Sequence, residues 1–203
     1  IDIMNEKLIN KIYVYLKTHT KNLDKLKLDT IFAQSGYTQF EKTLREEMDD
    51  FINSKIHEKQ VVYIKKLSKR FKDKVLFMKG ILVAADLYGD INKRRSGDID
   101  ILVNECDVQE IGRYLLDEEF ECDVVYEEWL NAIKVNHLVF NKTVFGKWDV
   151  MIEVHGKVFN PPYKYPEFTD LVWKRAKYQN ILDATLLLMD PYDRIIHYVL
   201  HYY

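Results

Sequence analysis

The sequence is poor in cysteine, in charge of one sign and in long apolar runs, and each shortage excludes something. Its 203 residues include two cysteines, Cys106 and Cys122, with no Cys-x-x-Cys and no histidine at ligand spacing beside them. A disulfide or a zinc site built on them is not expected, and a reducing, cytoplasmic setting fits better. With 30 basic and 32 acidic residues the formal charge is -2. That balance gives no support for wholesale binding of long nucleic acids, a local basic patch aside. No apolar run approaches the roughly 20 residues of a membrane span, so no membrane partner is expected. Asp2, Glu6 and Lys7 interrupt any apolar core that a leader peptide would need. Repeats and low-complexity segments are lacking as well. The chain opens on Ile1 and stops at Tyr203 in what reads as mid-helix, so it is expected to be part of a longer protein.

What is present is the composition of a folded domain. Hydrophobic residues make up 47% and charged residues 31%, far too apolar for a disordered chain. The length suits one well-filled domain, or a small one with helical additions. Fourteen tyrosines and ten phenylalanines are scattered through core-like patterns and read as packing. Trp129, Trp148 and Trp173 are read in the same way rather than as platforms for a base.

Helical spacing runs through residues 1–18, more weakly through 23–33, and clearly from 40 to 71. There Leu44, Met48, Phe51, Ile52, Ile56, Val62, Leu67 and Phe71 recur at three or four residues, with charge between them. The character then changes. Residues 74–78 read as a short buried strand, Lys79-Gly80 as a turn, 81–88 as an apolar helix ended by Gly89-Asp90, and 92–97 as a basic loop. Residues 98–103 form the next strand, and 107–117 a helix with Asp107 at its N-cap. Residues 120–126 and 135–140 read as extended, with 127–134 unassigned. Phe145-Gly146-Lys147 closes a hairpin onto a strong strand over 148–155. Gly156 and Pro161-Pro162 break regular structure, and everything from Phe168 onward reads as helical pieces, one starting at Asp190-Pro191. The resulting plan is a helical region over 1–72, an α/β core over 73–160 and a second helical region over 161–203.

The chemistry lies in the core. Asp98 and Asp100 are two residues apart in a strand, so both point to one face while Ile99 and Ile101 point to the other. Two acids on one strand face repel unless a cation or a proton sits between them. A later strand carries Asp149, Met151, Glu153 and His155 on one face. If the strands are neighbours, Glu153 joins the Asp pair, although Asp149 competes for that role. Three converging carboxylates bind hard divalent cations, and Mg²⁺ so held takes up phosphate oxygens. Two ions ~4 Å apart activate an attacking hydroxyl and stabilise a leaving pyrophosphate. Lys79, Arg94 and Arg95 supply positive charge for a triphosphate, Arg95 being the preferred arginine. Gly80 lets the backbone approach a ligand at a helix start. His155 serves either a phosphate or metal-bound water, or a structural hydrogen bond. His197 and His201 are four apart on a helix, but without the Glu of an HExxH motif they are read as packing.

The order Lys-Gly before a helix, then Gly-Asp-Ile-Asp-Ile-Leu-Val, then Ile-Glu-Val-His resembles the polymerase-β-type nucleotidyltransferase superfamily over residues 74–156. The likeness is to its uncharacterised bacterial branch. It implies an α+β fold, a small mixed sheet flanked by N-terminal and C-terminal helices. Asp98, Asp100 and Glu153 then become the catalytic, metal-holding carboxylates, with two Mg²⁺ or Mn²⁺ ions as cofactors. Lys79 and Gly80 fall at the phosphate-contacting turn, where Ile81 stands in place of the superfamily's Ser or second Gly. The implied reaction moves a nucleoside monophosphate from a nucleoside triphosphate to a hydroxyl acceptor. A catalytically degenerate module of the same fold and a metal-dependent phosphohydrolase are the competing expectations.

Overall fold

The computed structural model describes residues 36–135, 137–145, 148–159 and 166–201. The expected helices over 1–18 and 23–33, the turn residues Gly146 and Lys147, and the Pro161-Pro162 break lie outside them. The chain divides into two compact units, Ile1–Asp50 and Phe51–Tyr203. Of the first, the described part is the N-terminal portion of helix α1, Gly36–Phe71. The features below belong to the second unit.

The helical spacing over 40–71 falls within the single helix α1. Ile52, Ile56, Tyr63, Ile64, Leu67 and Phe71 bury one stripe, while Val62, counted among the apolar positions, is 45% exposed. Polar His57, Gln60 and Ser68 are buried in that same stripe. Lys69 and Arg70 sit in the last turn, where positive charge opposes the helix dipole.

Seven strands form one mixed sheet among the described residues. They are β1 Leu76–Phe77, β2 Asp98–Leu102, β3 Glu121–Cys122, β4 His137–Phe145, β5 Trp148–His155, β6 Lys177–Ile181 and β7 Ala184–Leu188. The spatial order is β3-β4-β5-β2-β1-β7-β6. β2 runs parallel to β5 and antiparallel to β1, and β1 runs parallel to β7. Among the described residues the unit also has five further α-helices: α2 Ile81–Tyr88, α3 Val108–Asp117, α4 Trp129–Val135, α5 Pro166–Arg175 and α6 Pro191–His201. The fold is α+β, with α1 before the sheet and α6 after it.

Alternation along the strands sorts the two faces. Phe77, Ile99, Ile101, Val150, Ile152, Val154, Leu186 and Leu188 join the stripe of α1 and the buried residues of α3 in one core. Leu76, Met78, Leu102, Leu187 and Met189 face the other way, where Val158, Phe159 and Val172 cover them. Asp98 and Asp100 share the parity of Leu102. They therefore open onto this second face, at the end that the smaller cluster leaves to polar groups.

Several expectations are corrected. The first strand shrinks to two residues because Lys74 is drawn into a short helical turn, Lys72–Lys74, and pairs with Asp107 and Glu110. The strand expected over 120–126 pairs with β4 only at Glu121 and Cys122, and the unassigned residues beyond it become α4. Asp107 does not cap α3 with its side chain; it closes the preceding turn Glu105–Asp107 with helical backbone angles. The largest correction is at the C-terminal side. Residues 177–188, read as helical, form a hairpin that places β7 in the sheet beside β1. Its turn residues Leu182 and Asp183 both have positive φ, 57° and 55°, as a two-residue hairpin turn requires. Neither is the glycine or asparagine that announces such a turn, and the run Ala-Thr-Leu-Leu-Leu-Met carries strong helix formers overridden by tertiary pairing. The expected start of α6 stands: Asp190 Oδ1 accepts the Tyr192 amide at 3.1 Å, with Pro191 in the first helical position.

Candidate metal and nucleotide site

The site begins at the turn between β1 and α2. Gly80 has φ 76° and ψ -143°, and a Cβ there would lie 2.8 Å from the Asp98 carbonyl oxygen and 3.2 Å from Ser96 Oγ. Glycine thus lets the turn press directly against the start of β2. The preceding Lys79 reaches across the same gap, its Nζ 2.9 Å from Asp100 Oδ1. Arg94 also returns to this turn, donating from Nη1 to the Gly80 carbonyl at 3.3 Å. Arg95 is exposed on the same loop.

The loop before β2 is held by the buried polar groups of α1. The Ser96 amide donates to His57 Nε2 at 3.4 Å, which leaves the ring proton on Nδ1, 3.1 Å from Asn92 Oδ1. Gln60 Nε2 donates to the Ser96 carbonyl at 3.3 Å. Ser96 Oγ in turn reaches the Asp98 carbonyl at 3.2 Å and Asp98 Oδ1 at 3.4 Å. Nothing in the sequence marks His57 and Gln60 as part of the site, because within a helical period a buried polar residue looks like any other member of the stripe.

The register of β2 on β5 brings the carboxylates together. Asp100 lies opposite Glu153 and Asp98 opposite Met151. Carboxylate oxygens of Asp98, Asp100 and Glu153 fall within 4.8 Å of one another. Asp149 has no partner in β2; its backbone pairs with Thr143 of β4. On the other side of Glu153, β4 sets His137 directly opposite His155. His155 Nε2 is 3.1 Å from Asp100 Oδ1 and 3.3 Å from Glu153 Oε2, and His137 Nε2 is 3.8 Å from Glu153 Oε1. His137 could not be singled out beforehand, since its place depends on the β4–β5 register.

Each charge is tuned by this crowding. The Asp98 carboxyl is pushed above its usual range, first by burial and then by the neighbouring Asp100 charge. Burial also opposes ionisation of Asp100, but the His155 hydrogen bond and Lys79 outweigh it and hold that carboxyl low. Burial would neutralise His155, yet its hydrogen bonds to Asp100 and Glu153 raise it and favour the imidazolium. His137 is held low by burial, against the opposing Glu153 charge. Asp100 is fully buried, and its Oδ2 has no hydrogen-bond partner. A buried carboxylate oxygen without a partner is costly. A hard divalent cation among three carboxylates would satisfy it, so the donor set fits Mg²⁺.

Elsewhere, Trp129 is 1% exposed and donates to the Val124 carbonyl at 2.8 Å, and Trp173 packs against the smaller cluster. Trp129 is a core residue and Trp173 is a partly buried one at the edge of the smaller cluster. The side chain of Trp148 lies outside the described residues. His197 is buried beside the Phe159 ring, 5.8 Å between centroids, and belongs to no candidate metal group among the described residues. The neighbouring Tyr198 hydroxyl is buried without a hydrogen-bond partner, in the field of Arg194, Arg94, Asp86 and Asp100. No described helix is long and apolar enough to cross a membrane.

Among known proteins, the family described as an uncharacterised nucleotidyltransferase matches residues 21–203. No curated protein and no solved structure matches the chain.

Proposed function

Since the chain belongs to the uncharacterised nucleotidyltransferase family, we propose that it is a Mg²⁺-dependent enzyme that transfers a nucleoside monophosphate from a nucleoside triphosphate to a hydroxyl acceptor. The observation that carries this reading is the register of β2 on β5, which sets Asp98, Asp100 and Glu153 within 4.8 Å, with Asp100 Oδ2 buried and unpaired. The three carboxylates hold the metal, which supplies Lewis-acid neutralisation of the phosphate charge when bound. Gly80 brings backbone up to the phosphates, and Lys79, Arg94 and Arg95 supply the positive charge that steadies them. Glu153 takes the proton of the acceptor hydroxyl. The acceptor oxygen then bonds to the α-phosphorus while the α–β phosphoanhydride bond breaks, and pyrophosphate leaves with the electron pair. His155 donates to Asp100 and Glu153 and so fixes both carboxylates in orientation.

A degenerate, non-catalytic module is the second reading. It is favoured by one contact: Lys79 already neutralises Asp100, and Ile81 stands where a phosphate-binding serine would be useful. Calorimetry with Mg²⁺ and a non-hydrolysable triphosphate separates the two. Binding that is lost in Asp98→Asn and in Asp100→Asn supports the enzyme, whereas a folded chain that binds neither ligand refutes it. Product analysis excludes the phosphohydrolase if the chain releases pyrophosphate rather than phosphate.

A further inference from the structure

We propose that His137, Glu153 and His155 form a second metal position, selective for a first-row transition cation such as Mn²⁺, Co²⁺ or Zn²⁺, beside the all-carboxylate position.

The sheet builds this position independently of the Asp pair. His137 and His155 are direct partners across antiparallel β4 and β5, so their rings share one face, 4.9 Å apart between centroids and tilted by 40°. Glu153 precedes His155 by two residues and points to that same face. Ligand atoms of the three all lie within 4.8 Å. Bonds of about 2.0–2.2 Å to a common ion would set adjacent ligand atoms roughly 3–3.7 Å apart. Glu153 Oε2 lies 3.3 Å from His155 Nε2 and Oε1 lies 3.8 Å from His137 Nε2, so modest side-chain movement would bring the three onto a common ion.

An ion at this position would replace the proton that His155 Nε2 shares with Asp100 and Glu153, and donor chemistry then chooses the ion. Mg²⁺ takes oxygen ligands and keeps its waters, which suits Asp98 and Asp100. Two imidazoles and one carboxylate are the ligand set of catalytic zinc sites and of non-haem iron sites. Glu153 offers Oε1 toward His137 and Oε2 toward His155. It can therefore serve both positions as a bridging carboxylate. The alternative is a purely structural cluster, in which Glu153 only holds the two imidazoles in place. The new position holds whether or not the chain transfers a nucleotide, because it rests on the β4–β5 imidazoles and Glu153 and on no nucleotide chemistry.

Titrating the full chain with Co²⁺ while following its visible ligand-field bands tests this directly. One equivalent of low-symmetry Co²⁺ is expected, resistant to excess Mg²⁺ and displaced by Zn²⁺. His137→Gln should weaken it about tenfold or more, while Asp98→Asn leaves it within about threefold. On the unaltered chain, Zn²⁺ should shift the imidazole nitrogen resonances of two of the six histidines, so the proposal does not depend on a variant folding. Absent Co²⁺ bands, unshifted imidazoles, bands untouched by His137→Gln, or equal loss in Asp98→Asn would each overturn it. Failure of Mg²⁺–triphosphate binding alone, with Co²⁺ binding intact, would overturn the nucleotidyl-transfer reading and leave this one standing.

Discussion

Replacing Gly80 by alanine would set a methyl group 2.8 Å from the Asp98 carbonyl oxygen, at backbone angles of φ 76° and ψ -143°. That region is essentially reserved for glycine and costs other residues about 1–3 kcal/mol. The clash adds about 1–3 kcal/mol, since the obstructing atom is backbone and cannot swing aside. Asp98 opens a strand paired in register with β5, and its carbonyl also accepts from Ser96 Oγ. Alanine returns only about 0.4–1 kcal/mol through the unfolded chain. The net expectation is a loss of about 1–5.5 kcal/mol. With a urea m-value of about 2 kcal/mol/M, the unfolding midpoint should fall by about 0.5–3 M with m unchanged. Relief of the clash by shifting Asp98 would also weaken Mg²⁺ binding. A midpoint shift under about 0.3 M would refute the close-approach argument, and with it the view that this turn presses on the carboxylate strand.

Three other outcomes follow from single contacts. Lys79→Met removes the cation on fully buried Asp100 while leaving His155. It should cost about 2–3 kcal/mol, less than the 3–5 of a wholly unpaired buried charge, and Mg²⁺ should raise the melting temperature of the variant more than that of the parent. Gly112→Ala places a Cβ 2.1 Å from the buried Trp129 ring, so thermal denaturation should show a loss of about 2–4 kcal/mol. The Tyr114 hydroxyl is pushed up to about 12 by burial and by the Glu118 charge. A neutral phenol favoured by the fold contributes fully below the unfolded value of about 10, and its contribution is lost as pH rises through about 12. After discounting for solvent screening it is worth about 1 kcal/mol. Tyr114→Phe should flatten stability against pH over that window, and an unchanged slope would sink the assignment.

The site was legible where local pattern and three-dimensional neighbour coincide. The alternation Asp98-Ile99-Asp100-Ile101 places acids and core on opposite faces of β2, and the structure has Ile99 and Ile101 at 2% and 0% exposure. The helix 81–88 and the strand 148–155 also fall where apolar runs end at a glycine or charge. Illegible were the features that depend on which strands meet. His137 enters only through its pairing with His155, and Glu153 stands apart from Asp149 only through the β2–β5 register. His57 and Gln60 act through a loop 35 or more residues away in sequence. The β6–β7 hairpin was hidden for a different reason. Its turn pays for left-handed backbone at Leu182 and Asp183 with the burial of Leu186, Leu187 and Leu188, a trade that no local signal records.

The charges of the site are largely paired within the protein. Asp100 and Glu153 face His155 and Lys79, two anions against two cations, and Asp98 is held above its usual range. Each buried charge thus has a protein partner of opposite sign, which removes most of the penalty of burying acids on one strand face. On the proposed reading, a bound metal would compete with Lys79 and His155 for the carboxylate oxygens they hold, and Lys79 would then be released to meet another anion. Lys79 stands at the turn beside Gly80, where the phosphates of a triphosphate would bring that anion. Metal and triphosphate should therefore bind cooperatively: Mg²⁺ affinity measured by calorimetry should rise when a non-hydrolysable triphosphate is present, and most of that gain should vanish in Lys79→Met. Equal coupling in parent and variant would show that Lys79 is only a structural partner of Asp100.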